Sequence, residues 1–149
     1  MKRWAMMLGL AAWSEVETVM VAALEDSDPQ IVELGIEAAK RHCPPLVVPY
    51  LEMIALDEKV ASPFRVGAIQ ALASSGTPGA LPLLLKLAWV RKFFLIRGLA
   101  DKSSELMAVL AAINERWAED HAAARVLRAA RKSKDPQIRA VVKVKGGQE

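Results

Sequence analysis

The stretch Lys134-Asp135-Pro136-Gln137-Ile138-Arg139, followed by Ala140-Val141, is one of four copies of a single phrase. The others read Ser27-Asp28-Pro29-Gln30-Ile31-Val32 with Ala38-Ala39, Ala61-Ser62-Pro63-Phe64-Arg65 with Ala71-Leu72, and Lys102-Ser103-Ser104-Glu105-Leu106-Met107 with Ala112-Ile113. Each opens on a polar turn able to cap a helix and continues as a short apolar, alanine-bearing helix pattern. The first large apolar residues of the copies fall at 31, 64, 106 and 138, so the steps are 33, 42 and 32 residues. Periods of this size mark stacked supersecondary units, none of which can bury its apolar face alone.

Partner helices are expected between the copies. Ser14-x-x-Glu17 is a capping box and predicts a helix to about Glu25. Pro44-Pro45 breaks the chain, and a helix over about 46–57 tolerates Pro49 in its first turn. Thr77-Pro78 offers a cap with proline in the first helical position, for a helix that sets Leu81, Leu84, Leu85 and Ala88 on one face. A last partner over about 118–132 buries Ala123, Val126, Leu127 and Ala130. Trp4 to Ala12 aligns with the second copy at an offset of 27 residues, Trp4 on Ile31 and Ala11-Ala12 on Ala38-Ala39. The expectation is about nine helices in four to five repeats, one domain over 1–145 and a frayed tail over 146–149.

Composition points the same way. The chain has 149 residues, 53% hydrophobic and 25% charged, enough for one sizeable core. Aromatics are only 5%, and alanine, leucine and valine supply most of the apolar content, which suits close helix contacts better than a sheet. The single cysteine, Cys43, excludes an internal disulfide and a cysteine-based zinc cluster, so a reducing, cytoplasmic setting is the default. Met1-Lys2-Arg3 followed by an apolar run to Trp13 keeps one alternative open, export on a signal segment over 1–13. Against it stand the tryptophans in the run, the lack of a small-x-small cleavage site and the alignment with the repeat.

The pattern resembles the HEAT repeat family, in the short bacterial variety whose second helix opens Asp-Pro-x-apolar-Arg and continues with alanine pairs. Asp135-Pro136-Gln137-Ile138-Arg139 matches that opening fully, Phe64-Arg65 with Ala68, Ala71 and Leu72 matches its core, and Ile31 with Gly35 and Ala38 matches in part. Val32 and Met107 stand at the usual arginine position and Ser104 replaces the proline, so only Arg65 and Arg139 can join an inter-repeat ladder of acidic and arginine side chains. The resemblance implies an all-α, α-α superhelical solenoid. It implies little about function, because such solenoids serve as protein scaffolds, nucleic-acid binders, chromophore lyase subunits and, more rarely, enzymes.

Chemistry finds few candidates in the residues. HEAT-like hydroxylases hold iron with repeated His-Glu pairs, whereas here Cys43 follows His42 and Ala122 follows His121. Adjacent side chains on a helix point about 100° apart, so His42-Cys43 reads as a helix-ending histidine beside a small buried thiol. HEAT-like DNA glycosylases use tryptophans and an aspartate on a basic concave face; Trp117 and Asp120 at helical spacing are a weak echo, and a tryptophan at a helix corner is the plainer reading. No nucleophile, phosphate-cradling loop, metal set or cofactor motif stands out.

Two features suggest binding. The excess of the 42-residue step falls in Trp89-Val90-Arg91-Lys92-Phe93-Phe94-Leu95-Ile96-Arg97-Gly98-Leu99-Ala100, where three cations interleave with aromatic and aliphatic residues. The plainer reading is that Phe93, Phe94 and Ile96 extend the preceding helix and fill a gap. The second feature is charge asymmetry. Residues 1–85 hold six Lys/Arg against ten Asp/Glu, a balance of −4, and residues 86–145 hold fourteen against six, a balance of +8. Arg125, Arg128 and Lys132 recur at helical spacing, forming either a stripe for an acidic surface or a solvated helix face.

The resulting expectation is a non-enzymatic scaffold without cofactor, metal or membrane partner, binding a protein through the face of the second helices. Its candidate contacts are Arg65, Trp89, Arg91, Lys92, Arg97, Arg125, Arg128, Lys132 and Arg139. A nucleic-acid-binding or glycosylase-type module is the alternative, and a chromophore lyase subunit a further one. Residues 4–12 are apolar nearly all round, so a second chain in a dimer or a preceding domain is expected to cover them.

Overall fold

In a computed structural model of the chain, residues 15–92 and 96–143 are described. The expected helix over 4–12, the signal alternative over 1–13, the burial of Phe93 and Phe94 and the frayed tail lie outside them. Among the described residues the chain is mostly helical, with eight helices and one two-stranded antiparallel sheet. The helices are α1 (15–24), α2 (Pro29–Arg41), α3 (Val48–Leu56), α4 (Ser62–Ser75), α5 (Ala80–Ala88), α6 (Ser104–Arg116), α7 (His121–Arg131) and α8 (Pro136–Val141). No helix among the described residues is long and apolar enough to cross a membrane.

Local chemistry sets most boundaries. Asp28 accepts the Gln30 amide at 2.9 Å and Pro29 follows in the first turn of α2. Ser103 caps α6 through the Leu106 amide, and Asp135 caps α8 through the amides of Gln137 and Ile138. These bonds satisfy amides that a helix start otherwise leaves without partners. α4 ends on Gly76 at φ +62, a left-handed turn that glycine adopts without steric cost. α5 begins later than Thr77-Pro78 predicts. The Thr77 hydroxyl lies 3.2 Å from Ser75 Oγ and does not cap, so Thr77 to Gly79 form a turn and the helix starts at Ala80. The last partner helix is also shorter than the expected 118–132, α7 starting at His121 behind Asp120 and ending at Arg131. Beyond α8, Asn114 donates to the carbonyls of Val141 and Lys143 and Arg131 to that of Val142, which turns the chain out of the helix.

The helices form two series. α2, α4, α6 and α8 each rest on the next member; α3 lies against α4, α5 against α4 and α6, and α7 against α5, α6 and α8. Leu51, Ile69, Leu72, Leu84, Leu106, Leu110, Ile113 and Leu127 are sealed between them. Alanines at the crossings, among them Ala39, Ala55, Ala68, Ala71, Ala88 and Ala123, are also fully buried and let the helix axes approach. At Gly67 the approach is closer still, because a β-carbon there would lie 2.7 Å from Ile36 Cγ2 of α2.

The segment after α5 departs from the expected helical extension. Trp89–Lys92 (β1) and Ile96–Leu99 (β2) pair antiparallel, with Trp89 opposite Leu99, Val90 opposite Gly98, Arg91 opposite Arg97 and Lys92 opposite Ile96. Trp, Val and Ile favour a pleated surface over a helix, and a three-residue connection closes a β-hairpin readily. The Ala100 amide donates to the Ala88 carbonyl at 2.8 Å and continues the ladder to the base. β1 packs on α5 and β2 on α7, so the β-hairpin sits on the α5–α7 side of the molecule.

Candidate partner-binding surfaces

Arg65, expected as an anchor for a partner, is instead engaged within the fold. It projects from α4, donates through Nε to the Ala55 carbonyl at the end of α3 (3.4 Å) and pairs through Nη1 with Glu105 Oε1 of α6 (3.2 Å). The two side chains are 19% and 13% exposed, which leaves little for an external ligand. Burial pushes the Glu105 carboxyl upward, but hydrogen bonds from Ser62, its own amide and Ser103, with the Arg65 charge, hold it below the usual carboxylate range. Arg139, the other arginine expected in an inter-repeat ladder, bonds to the Ser133 carbonyl just before its own helix at 2.6 Å. The second inter-helix link comes from Lys102, whose ammonium lies 2.8 Å from Asp135 Oδ2. The Lys102 hydrogen bond, opposed by desolvation and aided by the amides of Gln137 and Ile138, keeps the Asp135 carboxyl below its ordinary value.

Along the second series runs a trough that none of the sequence candidates lines. One depression of about 640 Å³ is bounded by Val66 and Gln70 of α4, Met107, Ala108 and Ala111 of α6, and Gln137 of α8. A second, of about 280 Å³, continues past Gln70, Ala108 and Ala111 to Ser74, Glu115 and Arg116. Ala108 and Ala111 keep its middle shallow, the exposed Gln70 and Gln137 stand on either side of it, Lys102, Ser103 and Ser104 close the end before α6, and three successive second helices build it. A solitary glutamine in the otherwise apolar and small run Val66-Gly67-Ala68-Ile69-Gln70-Ala71-Leu72-Ala73 was the available sequence signal.

The other series carries a basic cleft. Of the sequence candidates, Trp89, Arg91 and Arg97 line it, joined by Lys86 of α5, which sequence reasoning passed over although it lies one turn before Trp89. The cleft is about 390 Å³, and Pro82, Leu85 and Val90 complete its walls. Alternation along the ladder sets Trp89 and Leu99 on one face with Arg91 and Arg97, the indole resting on the core and both guanidinium groups exposed. Lys92 occupies its place in β1 opposite Ile96.

Arg125, Arg128 and Lys132 are exposed along α7 and its carboxyl cap, beside β2. They therefore belong with the β-hairpin and not with the second helices, which carry only Arg65 and Arg139 of the expected contacts. Trp117 and Asp120 do not share a helical face: Trp117 closes α6, and Asp120 caps α7 by accepting the Ala123 amide at 3.0 Å. His42 ends α2, and burial raises the Cys43 thiol above its ordinary pKa. Among the described residues no three His, Cys, Asp or Glu side chains stand close enough to share a metal ion. The surface expected to cover 4–12 concerns residues outside the described ones; among the described residues, Val19 of α1 is 66% exposed and Leu34 of α2 69%.

No protein-family model matches the sequence, and no curated protein matches it.

Proposed function

We propose that the chain is a HEAT-like α-helical repeat domain that performs no reaction and holds a protein partner against the face of its second helices. The observation that carries this reading is the trough shared by α4, α6 and α8. Small residues along its floor admit the backbone of a bound segment closely, and Gln70 and Gln137 offer both donors and acceptors to amide groups. Arg65–Glu105 ties α4 to α6 and Lys102–Asp135 ties α6 to α8, so the surface exists before the partner arrives and little ordering is lost on binding.

A photo-crosslinking residue at Ala111 should yield adducts with a discrete protein, while one at the exposed Glu58 should not. Ala111→Arg, which fills the trough, should abolish capture of the same protein by the otherwise native chain. Equal adducts from both positions, or capture that survives Ala111→Arg, overturns the reading.

One observation favours a second reading, a nucleic-acid-binding module. Arg125, Arg128 and Lys132 are exposed on α7, the helix against which β2 packs, and the β-hairpin adds the exposed Arg91 and Arg97. Phosphate contacts of that kind require binding to unrelated duplexes that weakens by about one log-log unit per phosphate as salt rises.

A further inference from the structure

The cleft between α5 and the β-hairpin pays an electrostatic cost that the fold does not offset. Arg91 and Arg97 are directly opposite in the ladder, where β-carbons stand about 4.5–5.5 Å apart and like charges destabilise the pairing. Lys86 adds a third cation on the neighbouring helix. Among the described residues no acidic side chain lines the cleft, and none occurs between Lys86 and Arg97 in the sequence. Among the described residues, none of these three side chains enters an ion pair or a hydrogen bond. Trp89, on the same face of the ladder as the two arginines, and Leu85 and Pro82 of α5 give the cleft its apolar wall.

We propose that this cleft binds an acidic peptide segment of a partner protein, its carboxylates received by Arg91, Arg97 and Lys86 and an adjacent aliphatic side chain resting on Trp89 and Leu85. Two guanidinium groups on one face accept two carboxylates in fork geometry, which converts the repulsion between them into the driving force for binding. The volume sits at the low end of the roughly 300–1,000 Å³ of ligand pockets and takes a short motif. A nucleic acid fits less well, because its phosphates repeat along an open rod whereas these cations converge between aliphatic walls. The site is on different elements from the trough and stands apart from it.

The test is fluorescence anisotropy on the full chain with three dye-labelled probes: a short peptide alternating glutamate and leucine, the same peptide with glutamine for glutamate, and single-stranded DNA of similar length. The glutamate peptide should bind, and its affinity should fall as salt rises from about 50 to about 300 mM, where charges separated by more than a few ångströms are screened. Arg91→Gln with Arg97→Gln should weaken it by about tenfold, while Ala111→Arg and a change at the exposed Lys59, Lys59→Gln, leave it unchanged. The double variant should melt no lower than the native protein at low salt, since it removes a like-charge pair. Arg91→Lys with Arg97→Lys, which keeps charge but not the fork, should fall between the two. Equal binding of the glutamine peptide, undiminished binding by the double glutamine variant, or tighter binding of DNA with the same residue dependence would each overturn the proposal.

Discussion

The Arg65–Glu105 contact permits a quantitative test of whether the arginine serves the fold or a partner. Arg65→Met keeps the apolar stem and removes two interactions, the 3.4 Å bond to the Ala55 carbonyl and the 3.2 Å pair with Glu105. A sealed ion pair broken on one side costs about 3–5 kcal/mol, and an exposed one about 0–1 kcal/mol. With 19% and 13% of the side chains still in water, the pair lies between these limits, and Glu105 retains Ser62 and Ser103 after the change. A destabilisation of about 1.5 kcal/mol is expected, or about 5 °C in Tm for a chain of this length. Glu105→Gln alone should cost a similar amount and the double variant less than the sum, leaving a coupling of about 1 kcal/mol. Because the folded carboxyl is held below its ordinary pKa, the stability it contributes is full above the unfolded value near 4.3–4.5 and is lost as pH falls through the lower folded value. The assay is urea unfolding followed by circular dichroism, at neutral pH and again near pH 3. No coupling at neutral pH, or a coupling that survives acidification, would refute the argument that Arg65 is a joint between α4 and α6.

Three further outcomes are expected. Leu110→Ala opens a cavity in a fully buried position of α6 and should cost about 3 kcal/mol in the same unfolding experiment. Gly76→Ala should destabilise by about 1 kcal/mol because of its positive φ, whereas Gly79→Ala, with φ −72 and open space around the added carbon, should be neutral or slightly stabilising; calorimetry on the pair separates backbone strain from crowding. Asp135→Ala should speed hydrogen exchange at Gln137 and Ile138, and acidification of the native chain through the lowered Asp135 pKa should do the same, since that contribution is present above the ordinary aspartate value and lost below the folded one.

What was legible beforehand was chemistry that acts over a few residues. Asp28, Ser103 and Asp135 cap where their spacing to the next amides says they should, because each bond spans only two or three positions. Thr77 shows the limit of the same rule, since a competing hydroxyl two residues away took the place of the backbone amide. The 42-residue step located the insertion but not its form. The apolar density of 81–88 hid the alternation of Trp89 and Arg91, and pairing with β2 depends on residues beyond the turn. Contacts over long separations were out of reach. Arg65 and Glu105 lie 40 positions apart and meet only because α4 rests on α6, which is why an arginine noted for its exposed potential is spent inside. The trough escaped for a related reason: its only trace in the sequence is the solitary Gln70 in an apolar run, which gains meaning once three helices are laid side by side.

The bond from the Ala100 amide to the Ala88 carbonyl brings the two ends of the β-hairpin segment to a single point on the helical frame. An excursion that leaves and returns at one place imposes almost no demand on what surrounds it, and lengthening it costs only a slowly growing closure entropy. The frame thus behaves as a chassis with one socket. Sequences between Trp89 and Leu99 can be exchanged, shortened or extended while α5 and α6 keep their spacing, so that substitution or grafting there is confined to about a dozen residues and leaves the buried crossings of the helices untouched.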